Sequence, residues 1–257
     1  MKRTFVIMAA SVLLAIFLCG NVYALDFGTE ITISDNNYKT SGTSWYYDNE
    51  DQEVEPGMAR SQGWDLEGFF LKENELTMIG GYDFVAGKHN LMSGDIFIDI
   101  DGDAVFGDIH SSAKGNFTVE NTFGYDYVLD LDFSAKTYDV ISLGENARTI
   151  TSYEKLNQGS NPWRYADGGQ TLFKDIAFNY MTGLTNDQTG FNGGAHNAVQ
   201  VDLSFLAPGQ DFTAHFTMEC GNDNLMGRGV APTPEPGTIF LLTAGLIGLI
   251  GIGRKRM

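Results

Sequence analysis

Apolar and polar residues alternate with a period of two through most of this chain, between clusters of Gly, Asn and Asp. That period predicts strands rather than helices. "EITISD", around 31–34, reads as a short first strand. "WDLEGFFLKEN" and "ELTMIGGYDF" meet at a Glu73-Asn74 corner and predict a hairpin. In "GDIFIDID", Ile96, Ile98 and Ile100 share one face, while Asp95, Phe97, Asp99 and Asp101 take the other. "YDYVLDLDF" alternates in the same way, and "KTYDVISL" follows it across a predicted two-residue turn at Ser134-Ala135. "NAVQVDLSFL" and "DFTAHFTMEC" predict a third strand pair around Pro208-Gly209. The fold class expected is all-β, an antiparallel β-sandwich, with long loops at 40–63 and 158–169.

The two ends break the pattern. Lys2 and Arg3 precede an apolar run over 4–18, and small residues at Val22 and Ala24 frame a Val-Tyr-Ala cleavage site. This is the layout of a secretory signal peptide, with the mature chain beginning near Leu25. Cys19 suggests a lipoprotein, but Leu18 before it is larger than a lipobox position takes. At the other end, Pro234-Glu235-Pro236 is followed by an uncharged run over 237–253 and then by Arg254, Lys255 and Arg256. As a helix the run would be roughly 25 Å long, the short limit for crossing a bilayer. The bases would stay on the cytoplasmic side. The expected organisation is a signal helix at 1–24, a sandwich passenger at 25–226 and a linker at 227–236. A transmembrane sorting helix at 237–253 and a basic tail at 254–257 complete it.

The order Pro-Glu-Pro, apolar run, basic cluster, beside a signal peptide, resembles the PEP-CTERM sorting signal. The resemblance implies export in a Gram-negative bacterium, a membrane anchor before processing, and an exosortase as processing partner with the export machinery. It further implies delivery to the cell surface or to an extracellular polysaccharide matrix such as a biofilm. Within the passenger, "GWDLEGFFLKENELTMIGGYDF" followed by "GDIFIDIDGD" is similar to the sugar-binding sandwiches of the DOMON and CBM9-like kind. "HFTMECGNDNLMGRG" is similar to the closing strand and loop of other exported passengers with this tail.

Charge narrows the partners. Five of the 16 basic residues sit in the two ends, which leaves 11 against 33 acidic ones. Such a chain is repelled by nucleic acid and anionic membrane surfaces and attracts divalent cations. After cleavage only Cys220 remains, so no disulfide forms within the chain. The clearest candidate site is "DIDGDAVFGD", with Asp99, Asp101, Asp103 and Asp108. Calcium takes six to eight hard oxygen ligands, and three alternating carboxylates at a turn can converge on one ion. Ala104 and His110 stand where an EF-hand needs Gly and Glu, so any site is of another kind. The same residues also suit a solvated acidic turn.

The remaining candidates carry less chemistry. The acidic run from Asp48 to Glu55 reads as a solvated loop. Trp45, Tyr46, Tyr47, Trp64 and Trp163 are either core residues or flat platforms for sugar rings. Asp65 and Glu67 alternate as glycosidase carboxylates or any exposed strand face can. His89, His110, His196 and His215 have no metal-binding spacing, and Cys220 has no neighbouring base in sequence. No nucleophile elbow, phosphate loop or dinucleotide fingerprint occurs. The function expected is therefore non-enzymatic: an exported surface or matrix protein, binding calcium, polysaccharide or both. The alternative is a secreted polysaccharide hydrolase with acidic catalytic residues.

Overall fold

The alternating segments pair into two antiparallel sheets laid face to face, with a third, smaller sheet against the outside of one of them. They are seen in a computed structural model that describes residues 24–34, 50–55, 57–105, 114–154 and 160–233. The first strands in chain order are β1 (Thr29–Glu30), β2 (Leu66–Lys72), β3 (Glu75–Gly80), β4 (Ile96–Asp99) and β5 (Thr118–Glu120). Next come β6 (Tyr127–Asp132), β7 (Thr137–Ser142), β8 (Arg148–Ile150), β9 (Arg164–Asp167) and β10 (Gln170–Ala177). The chain then forms β11 (Asn179–Leu184), a single-turn helix α1 (Asn186–Thr189), β12 (His196–Asp202), β13 (Asp211–Thr217) and β14 (Asn224–Val230).

Five strands form one sheet in the order β1-β2-β3-β12-β11, and six form the other in the order β10-β7-β6-β4-β13-β14. Alternation decides which side chains meet between them. Leu66, Phe69, Leu76, Met78, Val199 and Val201 from the first sheet bury against Ile96, Ile98, Leu129, Leu131, Phe212 and Phe216 from the second. Each such side chain contributes about 1.5–3 kcal/mol when fully buried. The opposite parity of the six-stranded sheet sends Phe97, Val128 and Ile141 outward. They pack with Phe123 and Tyr125, and with Val119 and Tyr165 of the small sheet β5-β8-β9. The outer face of the five-stranded sheet carries a third cluster, in which Ile79 and Ala198 meet Phe27, Leu184 and Phe191.

Several sequence expectations change. The β2–β3 hairpin turns at Glu73-Asn74 as expected. The β6–β7 hairpin has Asp132 opposite Thr137, so its turn spans 133–136 rather than two residues. The first strand is β1 at Thr29–Glu30, and Thr32 makes an isolated bridge to Gly227. The segments around Pro208-Gly209 do not pair with each other. β12 lies between β3 and β11, whereas β13 lies between β4 and β14, so the connection crosses from one sheet to the other. Gly209 N–H donates to Ala231 O within that arch, which turns it toward the end of β14 rather than into a hairpin. The expected loop at 158–169 contains β9. β14 itself continues into the stretch assigned to the linker and follows a Gly-rich sequence. The glycine has a packing reason, since a Cβ on Gly227 would sit 3.0 Å from the Phe69 ring.

Among the described residues, no helix is long and apolar enough to cross a membrane. The expected signal helix, Val22, the linker's Pro234-Glu235-Pro236, the 237–253 segment and Arg254, Lys255 and Arg256 lie outside the described residues. Ala24 is the first residue described.

Candidate functional site

β4 delivers Asp99 to the sheet end, and the chain reverses through Gly102, whose φ of 82° suits glycine. Asp99 Oδ1 accepts the N–H groups of Asp101 (3.1 Å) and Gly102 (2.8 Å), and Asp101 Oδ1 accepts that of Asp103 (3.2 Å). One oxygen from each of Asp99, Asp101 and Asp103 lies within 4.8 Å of the other two. Asp99 is buried and the other two are exposed. The charge on Asp101 pushes the Asp103 carboxyl above its ordinary pKa. The expected trio is thus brought together, by the hydrogen bonds of an acidic turn. Asp108 lies outside the described residues.

A denser acidic centre forms where the sequence predicts a solvated loop. Glu50, Glu53 and Glu55 are 4, 5 and 3% exposed, and Asp65, Glu67 and Asp223 are buried as well. Their carboxylates fall into two groups, Asp51, Asp65 and Glu67 in one and Glu50, Glu53 and Asp223 in the other, each with oxygens within 4.8 Å of one another. Val54, inserted among the acids and fully buried, holds that loop against the main core. An apolar residue inside the charge run is the signal that sequence reasoning passed over.

The first group is held by donors from four stretches of chain. A bulge in β2, between Leu66 and Gly68, contains Glu67. Bulges of this kind re-aim side chains. Glu67 meets His196 Nδ1 at 2.7 Å and accepts from Gln62 Nε2. His196 opens β12 with the same parity as Ala198, and its Nε2 lies 2.9 Å from Asn186 Oδ1 in α1. Both ring nitrogens thus face oxygen atoms, Glu67 at Nδ1 and Asn186 at Nε2. Asp65 accepts from the N–H groups of Gln52 (3.0 Å) and Glu53 (3.1 Å), and Asp51 accepts from Asn192 N–H (3.0 Å). Burial and the neighbouring Glu67 push Asp65 up to about 9, against the two backbone donors. Burial also raises Glu67, with His196 opposing. These two carboxylates are enclosed hydrogen-bond partners, not an exposed strand pair.

A separate groove of about 550 Å3 runs over the six-stranded sheet, beside the small sheet. Asp130, Asp132, Asp139 and Asp175 line it with Arg164 and Phe133. Asp95 is buried next to it, accepting from Leu131 N–H (3.0 Å) and Tyr165 N–H (2.8 Å), with Arg164 Nε 3.9 Å away. Burial and the charge of Asp130 push Asp95 up to about 7, while Arg164 holds it down. The lining offers acceptors and one fork of donors to a ligand rich in hydroxyl groups.

The other expected residues are placed plainly. Trp64 and Trp163 are buried, and so are core residues rather than sugar platforms. Trp45, Tyr46, Tyr47 and His110 lie outside the described residues. His215 is buried between Met226 Sδ (3.1 Å) and Pro162 O (3.0 Å). His89 rests edge-on against Trp64. Cys220 is a buried free thiol, pushed by burial up to about 11.

Comparison with known proteins identifies one segment. Residues 232–256 match the PEP-CTERM protein-sorting motif, so the chain carries an export and envelope-sorting signal at this end. No curated protein and no solved structure matches the chain.

Proposed function

We propose that this chain is a non-catalytic, exported β-sandwich, delivered to the cell surface or matrix by its sorting tail and binding a neutral, hydroxyl-rich polysaccharide there. The observation that carries the reading is the groove of about 550 Å3, lined by Asp130, Asp132, Asp139, Asp175 and Arg164. Exosortase is the processing partner that its sorting motif implies. An anionic polymer would be repelled by the four carboxylates, whereas a neutral one can satisfy them with hydroxyl donors. Calcium at Asp99, Asp101 and Asp103 is a second part of this proposal. It is supported by the grouping of their oxygens and by the higher calcium level met outside the cell.

Affinity electrophoresis against neutral and anionic polysaccharides tests the groove. Retardation by a neutral polymer, weakened at least tenfold in Arg164→Ala with Asp139→Ala, is the expected result. Equal retardation of variant and wild type would remove the groove from the proposal. A hydrolase is the second reading, favoured by one observation: Asp95 beside Asp130, with its carboxyl raised toward the range of a general acid. Release of reducing ends by the wild type, lost in Asp130→Asn, would replace binding with catalysis.

A further inference from the structure

The group Glu50, Glu53 and Asp223 differs from its neighbour in one respect. Asp51, Asp65 and Glu67 accept hydrogen bonds from Asn192, from the Gln52 and Glu53 amides, and from Gln62 and His196. Asp223 is fully paired on one side only. Its Oδ2 accepts the Leu66 N–H at 2.7 Å, but its Oδ1 is buried without a donor. The residue is 1% exposed, and one of its oxygens lies within 4.8 Å of oxygens from both Glu50 and Glu53. A buried carboxylate oxygen lacking a donor is costly unless the group takes up a proton or a cation reaches it.

The surroundings fix these three residues in place. Glu55 N–H donates to Asn222 O at 3.1 Å, and Asn222 exchanges two hydrogen bonds with the Ala59 backbone, at 3.0 and 2.9 Å. Asn224 Nδ2 donates to Glu55. Thr217 Oγ1 donates to Asp223 O at 2.6 Å, closing the turn between β13 and β14. The acidic loop and that turn, remote in sequence, are therefore sewn together around the three carboxylates.

We propose that Glu50, Glu53 and Asp223 bind a calcium ion that joins the acidic loop to the β13–β14 turn. This site is distinct from the Asp99 corner and independent of polymer binding in the groove. Its side-chain donors are all oxygen, which selects a hard cation over zinc or copper. Calcium–oxygen bonds of 2.3–2.6 Å accommodate oxygens up to about 4.8 Å apart across the ion, whereas magnesium, at 2.0–2.1 Å, would draw them closer. The ion supplies the missing partner of Asp223 Oδ1 and offsets the repulsion among three buried charges.

The test uses the full chain in detergent, stripped of metal by a chelator. Calcium alone is titrated calorimetrically, and thermal unfolding is followed in parallel. The expected result is saturable binding and a rise in Tm. In Asp223→Asn the Asn Oδ1 still accepts from Leu66, and calcium affinity should fall at least tenfold. Asp101→Asn with Asp103→Asn should keep this binding event. Wild-type affinity in Asp223→Asn overturns the proposal, as does binding lost only in the corner variant. An equal shift with magnesium, or with sodium at matched ionic strength, also overturns it. Should Asp223→Asn fail to fold, the corner variant alone decides: a calcium ion still bound supports the site, and none bound refutes it.

Discussion

At the scale of single residues, the buried polar groups decide what the sandwich tolerates. His215 lies in the outer face of β13, with its ring 5.6 Å from that of Tyr125 and its nitrogens toward Met226 and Pro162. Burial lowers its pKa from 6.5 to about 4, with the Pro162 carbonyl opposing, so the folded state keeps the imidazole neutral. The unfolded chain takes up a proton below pH 6.5 and the folded chain does not until about pH 4. The contribution of neutral His215 is therefore intact above 6.5 and is lost as pH falls through that window. The full shift corresponds to on the order of 3 kcal/mol. In His215→Gln, urea unfolding at pH 6.5 and pH 4 should show an acid-side loss smaller than the wild type by about that amount. Equal losses would mean that another group sets the acid limit. The Asp99, Asp101 and Asp103 trio was legible at this scale because its members are neighbours in sequence. The Asp223 group was not, because its members come from opposite ends of the passenger and only the folded chain makes them neighbours.

At the scale of elements, alternation revealed strands with one face in the main core, such as β3, β4 and β6. It failed where that contrast is missing. β10 is almost wholly exposed, and β14 has glycines where alternation would show side chains. A glycine in a strand sequence looks like a turn until its neighbour is known. Gly227 faces Phe69 closely enough that Gly227→Val should overpack the junction between β14 and β2. A destabilisation of about 1–3 kcal/mol is expected from such an insertion. Urea midpoints at constant m-value would measure it, and an unchanged midpoint would mean that the two strands can move apart freely. The same blindness to distance placed β12 and β13 in one hairpin. Local pattern identifies two strands, but not that the arch between them changes sheet.

At the scale of the whole molecule, the C-terminal sorting motif was the most legible part. A sorting signal is read as a linear string, so its order of Pro-Glu-Pro, apolar run and bases survives without knowledge of the fold. The passenger's ligand is read from groups that only folding assembles. Processing is expected to remove the segment from Gly237 onward. Intact-mass measurement of protein recovered from the surface or medium would show its loss. Recovery with Arg254 to Met257 still attached would mean a permanent anchor instead.

The pairing of the first described residues with the last strand bears on how this chain reaches its folded state. Ile31 accepts from Arg228, and Ile33 donates to Met226, so a segment near the start of the described residues stitches β14, just before the sorting motif. Exported head first, that segment would emerge long before its partner strand. Contacts so remote in sequence close late, because the loop entropy must be met before they form. The sandwich would thus remain open during nearly all of its passage and close only once 224–230 has crossed. The carboxylates of Glu50 and Glu53 would likewise wait for Asp223, so their burial would be completed in the outer compartment, where calcium is plentiful.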